Sequence, residues 1–382
     1  MYQLSFSLDS FLAEYWHKKP TIIKGGFSNF IDPISPEELA GLTMEEEVDS
    51  RYVSNLNNEW IAEHGPFDEA KFAQLPELQW QLIVQAANHW HDGCAQLTQA
   101  FKSLPQWLFD DLMICYSAQG GGVGPHIDQY DVFIIQGSGK RQWRVGAKDT
   151  GQYKETHRAS ALRQIEGFDA ILDDTLEPGD ILYIPPGFPH EGVTIEPSMS
   201  YSMGYRSPKE QELVSNFADY ILSNDLGDKH LFNPSMQSQD KHGKIQTTDL
   251  SLLTDMMMEA FKDETKIKDF IGNMLSQSRH QLAVYPPEEA WSQEEISLQL
   301  HDGATFQKVS GLRALYNDSE PCIAYVDGDM YNVDMDQVDL IQQLCNHSSV
   351  SIHDLSRELI SSDVSLITDL VNKGYWYLEE AE

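Results

Sequence analysis

In the stretch GGGVGPHIDQYD, a histidine and an aspartate stand two residues apart, at His126 and Asp128. Residues two apart on a β-strand project from the same face, so both side chains would reach the same point. An imidazole and a carboxylate are both metal ligands, and a second imidazole would complete a facial triad. Without that third group, two polar residues in a glycine-rich surface turn also explain the pattern.

The missing imidazole can come from the segment IPPGFPHEG, where His190 lies 62 residues after Asp128. Three prolines in this segment limit its conformations, and antiparallel strands of a barrel can join such distant positions. Two imidazoles and one carboxylate leave three positions of an octahedral Fe(II) ion open for a bidentate cosubstrate and dioxygen. We therefore predict that His126, Asp128 and His190 bind iron.

Other metals and other histidines fit less well. Zinc is disfavoured because no third imidazole or thiolate stands near the triad, and manganese or nickel cupins need more imidazoles. His89 and His91 also form an H-x-H pair, but they flank a tryptophan in a stretch with helical character. We predict that these two histidines are structural or surface residues.

Basic residues follow the metal strand across a glycine-rich turn, in the stretch GSGKRQWRVG. Alternation along a strand puts Arg141 on the same face as a tryptophan and a valine, whereas Lys140 shares a wholly polar face. Arg141 is therefore predicted to point inward, where a buried cation needs an anionic partner. The far carboxylate of 2-oxoglutarate would be one such partner, and an internal acidic residue is the alternative.

The strand DLMICYS places Met113, Cys115 and Ser117 on one face. Small side chains there leave room for a ligand, and Ser117 could donate a hydrogen bond to the cosubstrate. Cys115 is also explained as a small buried residue. We predict that Cys115 and Ser117 contact the cosubstrate beside Arg141.

Substrate-binding residues are expected close to the metal strand. Tyr130 and Phe133 are candidates for the pocket wall, but strand alternation allows only one of them to face inward. The glycines before His126 are interpreted as space left for the backbone of a substrate.

Short β-rich runs broken by glycine and proline turns extend from Leu112 to Tyr205. Strands at this spacing predict a barrel or jelly roll. Before them, the sequence predicts a short amphipathic helix around Phe11 to Trp16, a strand in TIIKGGF, and a longer helix from Trp80 to Phe101.

Helices replace the strands after Ser207. Apolar stripes predict them over Glu210–Leu226, Leu250–Lys262 and Thr265–Ser278. A block of this kind either packs on the barrel or pairs with a second copy of the chain.

The last segment resembles a winged-helix module. It contains strands in LRALYN and CIAYVDG, a helix over Val338–Cys345, a second helix over Ile352–Leu359 or beyond, and a final strand in GYWYL. From Gly311 onward there are only three basic residues against fourteen acidic ones, so we do not expect this module to bind DNA.

Acidic residues dominate the whole chain, with 60 Asp and Glu against 26 Lys and Arg and a formal net charge of -34. Such a surface repels phosphate backbones and favours encounter with basic proteins, although the charge could also serve solubility alone. The four cysteines form no CxxC pair, which argues against a disulfide framework or a zinc ribbon. No signal peptide or membrane-spanning run is found, so we expect a cytoplasmic protein without membrane contact.

Several stretches together resemble the Jumonji-C ribosomal oxygenases of the cupin superfamily, and within them the bacterial ribosomal protein arginine hydroxylases. These stretches are FLAEYWHKKPTIIKGGF, GPHIDQYDVFIIQG, GKRQWRVG and LEPGDILYIPPGFPHEG. The resemblance runs the full length of the chain and is looser in the C-terminal part.

The resemblance implies an α+β protein with three domains. A double-stranded β-helix (cupin or jelly roll) over residues 1–207 would be catalytic, residues 208–284 would form a helical dimerisation domain, and residues 285–382 an acidic winged-helix-like domain. It further implies a homodimer.

The resemblance also implies Fe(II) as cofactor, with 2-oxoglutarate and dioxygen as cosubstrates. By position, His126, Asp128 and His190 would be the catalytic iron ligands and Arg141 the cosubstrate anchor, where many Jumonji-C enzymes have a lysine. The implied substrate is a basic ribosomal protein, number sixteen of the large subunit, hydroxylated at the β-carbon of an arginine.

Three alternatives remain open at this point. The chain could hydroxylate a histidine of a ribosomal protein, since related oxygenases differ in the target residue. It could demethylate lysine or arginine. A different class is a non-catalytic module in which a metal-free cupin and a winged helix serve only for assembly.

Overall fold

The computed structural model describes residues 2–159 and 162–379. They form two compact units, each assembled from separate stretches of the chain. The larger unit comprises Met1–Ser207, Ser278–Arg313 and Asn346–Glu382, and the smaller one comprises Pro208–Gln277 and Ala314–Cys345. The three consecutive domains of the sequence analysis remain a prediction.

Two antiparallel sheets form the centre of the larger unit. Their strands, in chain order, are β1 (Thr21–Ile23), β2 (Ser50–Ser54), β3 (Ile61–His64), β4 (Trp80–Val84), β5 (Phe109–Ser117), β6 (His126–Ile127), β7 (Asp131–Gln136), β8 (Lys140–Gly146), β9 (Glu155–Ala159), β10 (Leu162–Ile165), β11 (Ala170–Leu176), β12 (Ile181–Ile184), β13 (Pro189–Glu196) and β14 (Ser198–Tyr205). The first sheet has the order β1-β12-β7-β14-β5-β4-β2-β3, and the second has the order β11-β8-β13-β6-β10-β9. This topology confirms the predicted jelly-roll architecture.

The two sheets face each other across a buried apolar layer. Val132 and Ile134 of β7 pack there with Trp143 and Val145 of β8. The intervening β7 residues lie on the other face of the first sheet, where Phe133 contacts the rings of the N-terminal segments. The whole of β7 is therefore buried, as expected for a strand that is covered on both sides.

The described residues form ten α-helices. They are α1 (Leu8–Glu14), α2 (Pro36–Leu42), α3 (Glu69–Phe72), α4 (Asp92–Thr98), α5 (Glu210–Ser223), α6 (Thr247–Glu259), α7 (Glu264–Ser276), α8 (Gln293–His301), α9 (Val338–Asn346) and α10 (Ser361–Asn372). Among the described residues, no helix is long and apolar enough to cross a membrane.

Two small antiparallel sheets complete the chain. Their strands are β15 (Thr305–Lys308), β16 (Ala314–Tyr316), β17 (Ile323–Val326), β18 (Asp329–Asn332), β19 (Ser349–Ser351) and β20 (Trp376–Glu379). The order β19-β15-β20 lies in the larger unit, and the order β16-β17-β18 lies in the smaller one.

Two predicted helices were wrong in part. The proposed helix over Trp80–Phe101 begins instead with strand β4, because a short and largely apolar run suits a strand buried on both faces as well as a helix. The proposed helix over Ile352–Leu359 is only a short 3-10 turn, and α10 starts at Ser361. That start is set by Asp363, whose carboxylate accepts the backbone N–H of Ile360.

Candidate active site

Three of the predicted site residues meet inside the second sheet. His126 of β6 lies directly opposite His190 of β13, so both side chains project from the same face. Nε2 of His190 is 3.5 Å from Oδ2 of Asp128, and Nε2 of His126 is 4.0 Å from the same oxygen. One nitrogen or oxygen from each of these residues lies close enough for all three to contact one metal ion.

Backbone carbonyls select the tautomer of both imidazoles. Nδ1 of His126 is 2.9 Å from the carbonyl oxygen of Gly124, and Nδ1 of His190 is 3.1 Å from that of Phe188. Each Nδ1 must therefore carry the proton that it donates, which leaves the lone pair of Nε2 free for a metal. Burial and the neighbouring His126 lower the pKa of His190 to about 4, so this imidazole is neutral at physiological pH.

Arg141 lies in the interior, as strand alternation predicted. It is only 3% exposed, while Lys140 is largely in solvent and pairs with Glu177 at 3.0 Å. The guanidinium donates to Ser200 Oγ at 3.1 Å, to Gln81 Oε1 at 3.0 Å and to a backbone carbonyl. Its Nε has no partner among the described residues, and none of their carboxylates pairs with it.

Cys115 and Ser117 lie beside this arginine. The thiol of Cys115 contacts Arg141, and burial raises the pKa of that thiol. Ser117 donates to Gln81 at 3.2 Å, which places Gln81 between the serine and the guanidinium. Cys115 and Ser117 of β5, which were expected to contact the cosubstrate, therefore lie beside Arg141 of β8, the expected anchor.

Sequence reasoning missed two members of this group, Gln81 and Ser200. Gln81 was hidden because its strand, β4, was interpreted as a helix. Ser200 pairs with Cys115 across β5 and β14, and this pairing depends on a register that no local pattern reveals.

This set of residues fits a metal ion and an anionic cosubstrate. Two imidazoles and one carboxylate are the donor set that suits Fe(II) with open positions. A buried guanidinium without a carboxylate partner carries an uncompensated charge, which a bound carboxylate would neutralise.

The glycines before His126 serve a different purpose from the predicted one. A Cβ at Gly121 would lie 2.2 Å from the carbonyl oxygen of Trp80, and one at Gly122 would lie 2.5 Å from that of Gly192. These glycines therefore allow the chain to pack against its own backbone, so the expected space for a substrate backbone is wrong at these two positions.

Tyr130, rather than Phe133, borders the candidate site. Phe133 is fully buried among the aromatic rings of the core. Tyr130 lies near Asp128, and burial, with the nearby carboxylates of Asp128 and Asp111, raises the pKa of Tyr130.

Asp111 brings a second carboxylate to this side of the site. It lies on the face of β5 that also carries Cys115 and Ser117. Its Oδ2 accepts hydrogen bonds from Gln85 and from the backbone of Ala86, while its Oδ1 lies 4.0 Å from Nε2 of His280, beyond hydrogen-bond distance. Burial raises the pKa of Asp111, against the opposing effect of these bonds and of His280.

Oδ1 of Asp111 and the ring of Tyr130 both face the small residue Gly204. A Cβ at Gly204 would lie 3.5 Å from Oδ1 of Asp111 and 3.8 Å from the ring of Tyr130. The carboxylate of Asp111 and the ring of Tyr130 thus lie on the same side of Gly204, close to each other.

His89 is structural, as expected. It is buried, its Nδ1 is 2.8 Å from the carbonyl oxygen of Gln281, and burial lowers its pKa to about 4. His91 is half-buried at the start of α4 and belongs to neither group of candidate metal ligands among the described residues, which are His126, Asp128 and His190, and Asp110, Asp111 and His280.

Comparison with known proteins reveals matches over the whole chain. A model of the JmjC domain matches residues 96–213, and a model of the ROXA-like winged helix matches residues 252–377. The chain is 43% identical to the ribosomal protein uL16 3-hydroxylase of Escherichia coli, over 99% of both proteins. It is 30% identical to a probable ribosomal oxygenase of Haemophilus influenzae, over 95% of this chain and 89% of the relative.

The structural similarity extends equally far. The E. coli ribosomal oxygenase YcfD in complex with cobalt and 2-oxoglutarate matches with a TM-score of 0.91 at 43% identity, over 99% of this chain and 100% of that one. Because the sequence and the fold agree with these relatives over 99% of the chain, and both family models match parts of it, this chain belongs to the JmjC-domain ribosomal oxygenases.

Proposed function

We propose that this chain is an Fe(II)- and 2-oxoglutarate-dependent oxygenase that hydroxylates ribosomal protein uL16 at the β-carbon of an arginine. The central observation is the convergence of His126, Asp128 and His190 in the barrel that also buries Arg141. The E. coli relative is named a uL16 3-hydroxylase, and carbon 3 of an amino acid is its β-carbon.

The iron, when bound with 2-oxoglutarate and dioxygen, supplies the oxidising chemistry that inserts oxygen into the substrate. The protein holds the metal through His126, Asp128 and His190. Arg141 holds the distal carboxylate of 2-oxoglutarate, supported by Ser117 and Cys115. Burial of Arg141, Ser117 and Cys115 keeps the cosubstrate end of the site away from bulk water.

Asp111 and Tyr130 favour arginine over histidine as the target. A guanidinium is permanently charged and is best bound by a carboxylate, which accepts two of its hydrogen bonds. Oδ1 of Asp111 offers such an acceptor, and the Tyr130 ring beside it can contact the planar group. A neutral imidazole would gain much less from a buried carboxylate.

Turnover with peptides tests the proposal directly. We expect succinate formation to depend on Fe(II) and 2-oxoglutarate and to increase with a uL16 peptide that contains the arginine. Mass mapping should place +16 on that arginine. No stimulation by the peptide, or +16 on a histidine, would contradict the proposed substrate.

The variant Asp111→Asn tests the recognition of the guanidinium. Loss of one partner of a buried charge pair costs about 2–5 kcal/mol, so kcat/KM for the uL16 peptide should fall at least about thirtyfold. Succinate formation without peptide should persist, because the iron and cosubstrate ligands are intact. Equal losses with and without peptide would contradict this role.

We infer that the smaller unit mediates a homodimer. None of the side chains of α6 is buried, although the helix carries a stripe of apolar residues. Leu250, Leu253 and Met257 follow one another at helical spacing and are between 45% and 72% exposed. Exposed apolar surface of this kind is typical of an interaction site.

The double variant Leu253→Asp/Met257→Asp should convert the dimer to a monomer of 43.4 kDa, measured by light scattering. Two charges would have to be buried without partners at the interface. Leu298→Asp is the matched control, since Leu298 is also exposed on a helix, in the larger unit. A monomeric wild type would contradict the dimer.

The net charge of -34 supports a basic ribosomal protein as partner, through attraction at long range. We place the reaction in the cytoplasm, where ribosomal proteins are made. We also retain residues 1–207, 208–284 and 285–382 as the proposed catalytic, dimerisation and winged-helix-like domains.

A further inference from the structure

Gln164 of β10 lies in the same row as the two candidate histidine ligands. β6 is paired with β13 on one side and with β10 on the other, and His126 stands opposite both His190 and Gln164. Directly opposed residues of antiparallel strands project from the same face, so all three side chains point into the barrel.

The side chain of Gln164 packs against the backbone that orients His126. Its Nε2 donates to the carbonyl oxygen of Val123 at 2.6 Å. The next residue, Gly124, supplies the carbonyl that accepts from Nδ1 of His126. A Cβ on Gly124 would lie 2.5 Å from Nε2 of Gln164, which shows how closely the amide approaches this turn.

Gln164 is a poor choice for stability alone. It is 1% exposed, and its Oε1 is buried without a hydrogen-bond partner among the described residues. A buried acceptor without a hydrogen-bond partner destabilises the folded protein, and an apolar side chain of similar size would avoid this penalty. The amide is nevertheless used, because its Nε2 makes the hydrogen bond to Val123 beside the metal-site turn.

We propose that Gln164 is a positioning residue for the metal site. Its hydrogen bond to Val123 holds the Val123–Gly124 turn in place. Gly124 then keeps His126 in the tautomer and orientation that direct Nε2 to the metal. This inference rests on the proposed function, because it requires His126 to be a metal ligand. Groups that orient metal ligands in this way contribute about 10–100-fold to metal affinity.

The experiment compares Co(II) binding by isothermal titration calorimetry in metal-free wild type and Gln164→Met, together with thermal unfolding of the metal-free proteins. Methionine preserves the volume but removes both the donor and the unpaired acceptor. We expect Co(II) affinity to fall at least about tenfold and Tm to remain unchanged or rise.

Gln136→Met is a matched control. Gln136 is equally buried and donates to the carbonyl oxygen of Met199 at 3.0 Å. Its Oε1 also has no hydrogen-bond partner in the described part of the chain, but Gln136 lies on β7 of the other sheet. This variant should bind Co(II) as wild type does. Should Gln164→Met fail to fold, Gln164→Leu replaces it.

The outcomes distinguish a wrong role for Gln164 from a wrong metal site. If Gln164→Met binds Co(II) within twofold of wild type, or if Gln136→Met weakens binding equally, the role of Gln164 is wrong. If wild type does not bind Co(II), or if His126→Ala binds it as tightly, the proposed metal site itself is wrong.

Discussion

Arg141→Met is expected to raise the KM for 2-oxoglutarate at least about thirtyfold. The guanidinium is buried and lacks a carboxylate partner among the described residues, so the cosubstrate carboxylate would be its only counter-charge in that part of the chain. Removing one partner of such a pair costs about 2–5 kcal/mol, and each 1.4 kcal/mol corresponds to a factor of ten. The measurement is succinate formation against 2-oxoglutarate concentration.

Lys140→Met is the matched control for this prediction. Lys140 precedes Arg141 on β8, but its ammonium pairs with Glu177 in solvent. Its loss should leave the KM unchanged. If Lys140→Met raises the KM and Arg141→Met does not, the assignment of the anchor by strand alternation is wrong.

The thermal stability of Arg141→Met provides a second measurement. A buried cation without an anionic counter-charge destabilises the folded protein, and replacing it with an apolar side chain of similar size is often neutral or stabilising. The Tm without 2-oxoglutarate should therefore not fall. In wild type, 2-oxoglutarate should raise the Tm through binding to the native state, and this shift should be lost in the variant.

His126→Ala is expected to lower kcat about a thousandfold or more. A bound metal contributes several kcal/mol of catalysis, and each 1.36 kcal/mol corresponds to a factor of ten. The variant removes one of three candidate ligands, the imidazole that lies opposite His190. The assay is succinate formation with Fe(II), 2-oxoglutarate and the uL16 peptide.

His64→Ala tests whether the loss is specific, because His64 is an exposed histidine at the end of β3. It should retain full turnover. Substantial turnover by His126→Ala at saturating Fe(II) would mean that the metal is held elsewhere. A metal-free assembly module would have no turnover in any of these proteins.

Local alternation was sufficient to identify the residues that face the barrel. Because side chains alternate strictly along a strand, the pattern in GKRQWRVG separated Arg141 from Lys140 without knowledge of the rest of the chain. The same rule placed Cys115 and Ser117 together. The short strands between glycine and proline turns likewise predicted a barrel or jelly roll.

Alternation failed where a segment was too short or too uniformly apolar to have a clear period. The run Trp80–Val84 suits a helix or a fully buried strand, so the sequence did not predict that Gln81 lies beside Arg141. The start of α10 depended on the Asp363 carboxylate, which also binds Arg357 at 2.6 and 2.9 Å. The spacing of apolar residues, from which the helix was predicted, gives no information about this contact between Asp363 and Arg357.

The sequence by itself determined which side chains could share a face and which chemistry they could perform, since these properties depend on residue type and on spacing along one strand. Only the tertiary structure decided which strands lie side by side. Strand order and register brought His190 opposite His126, placed Gln164 on the other side, and set Asp111 beside Tyr130. The reason is physical, since pairing between distant strands is set by the packing of the whole core.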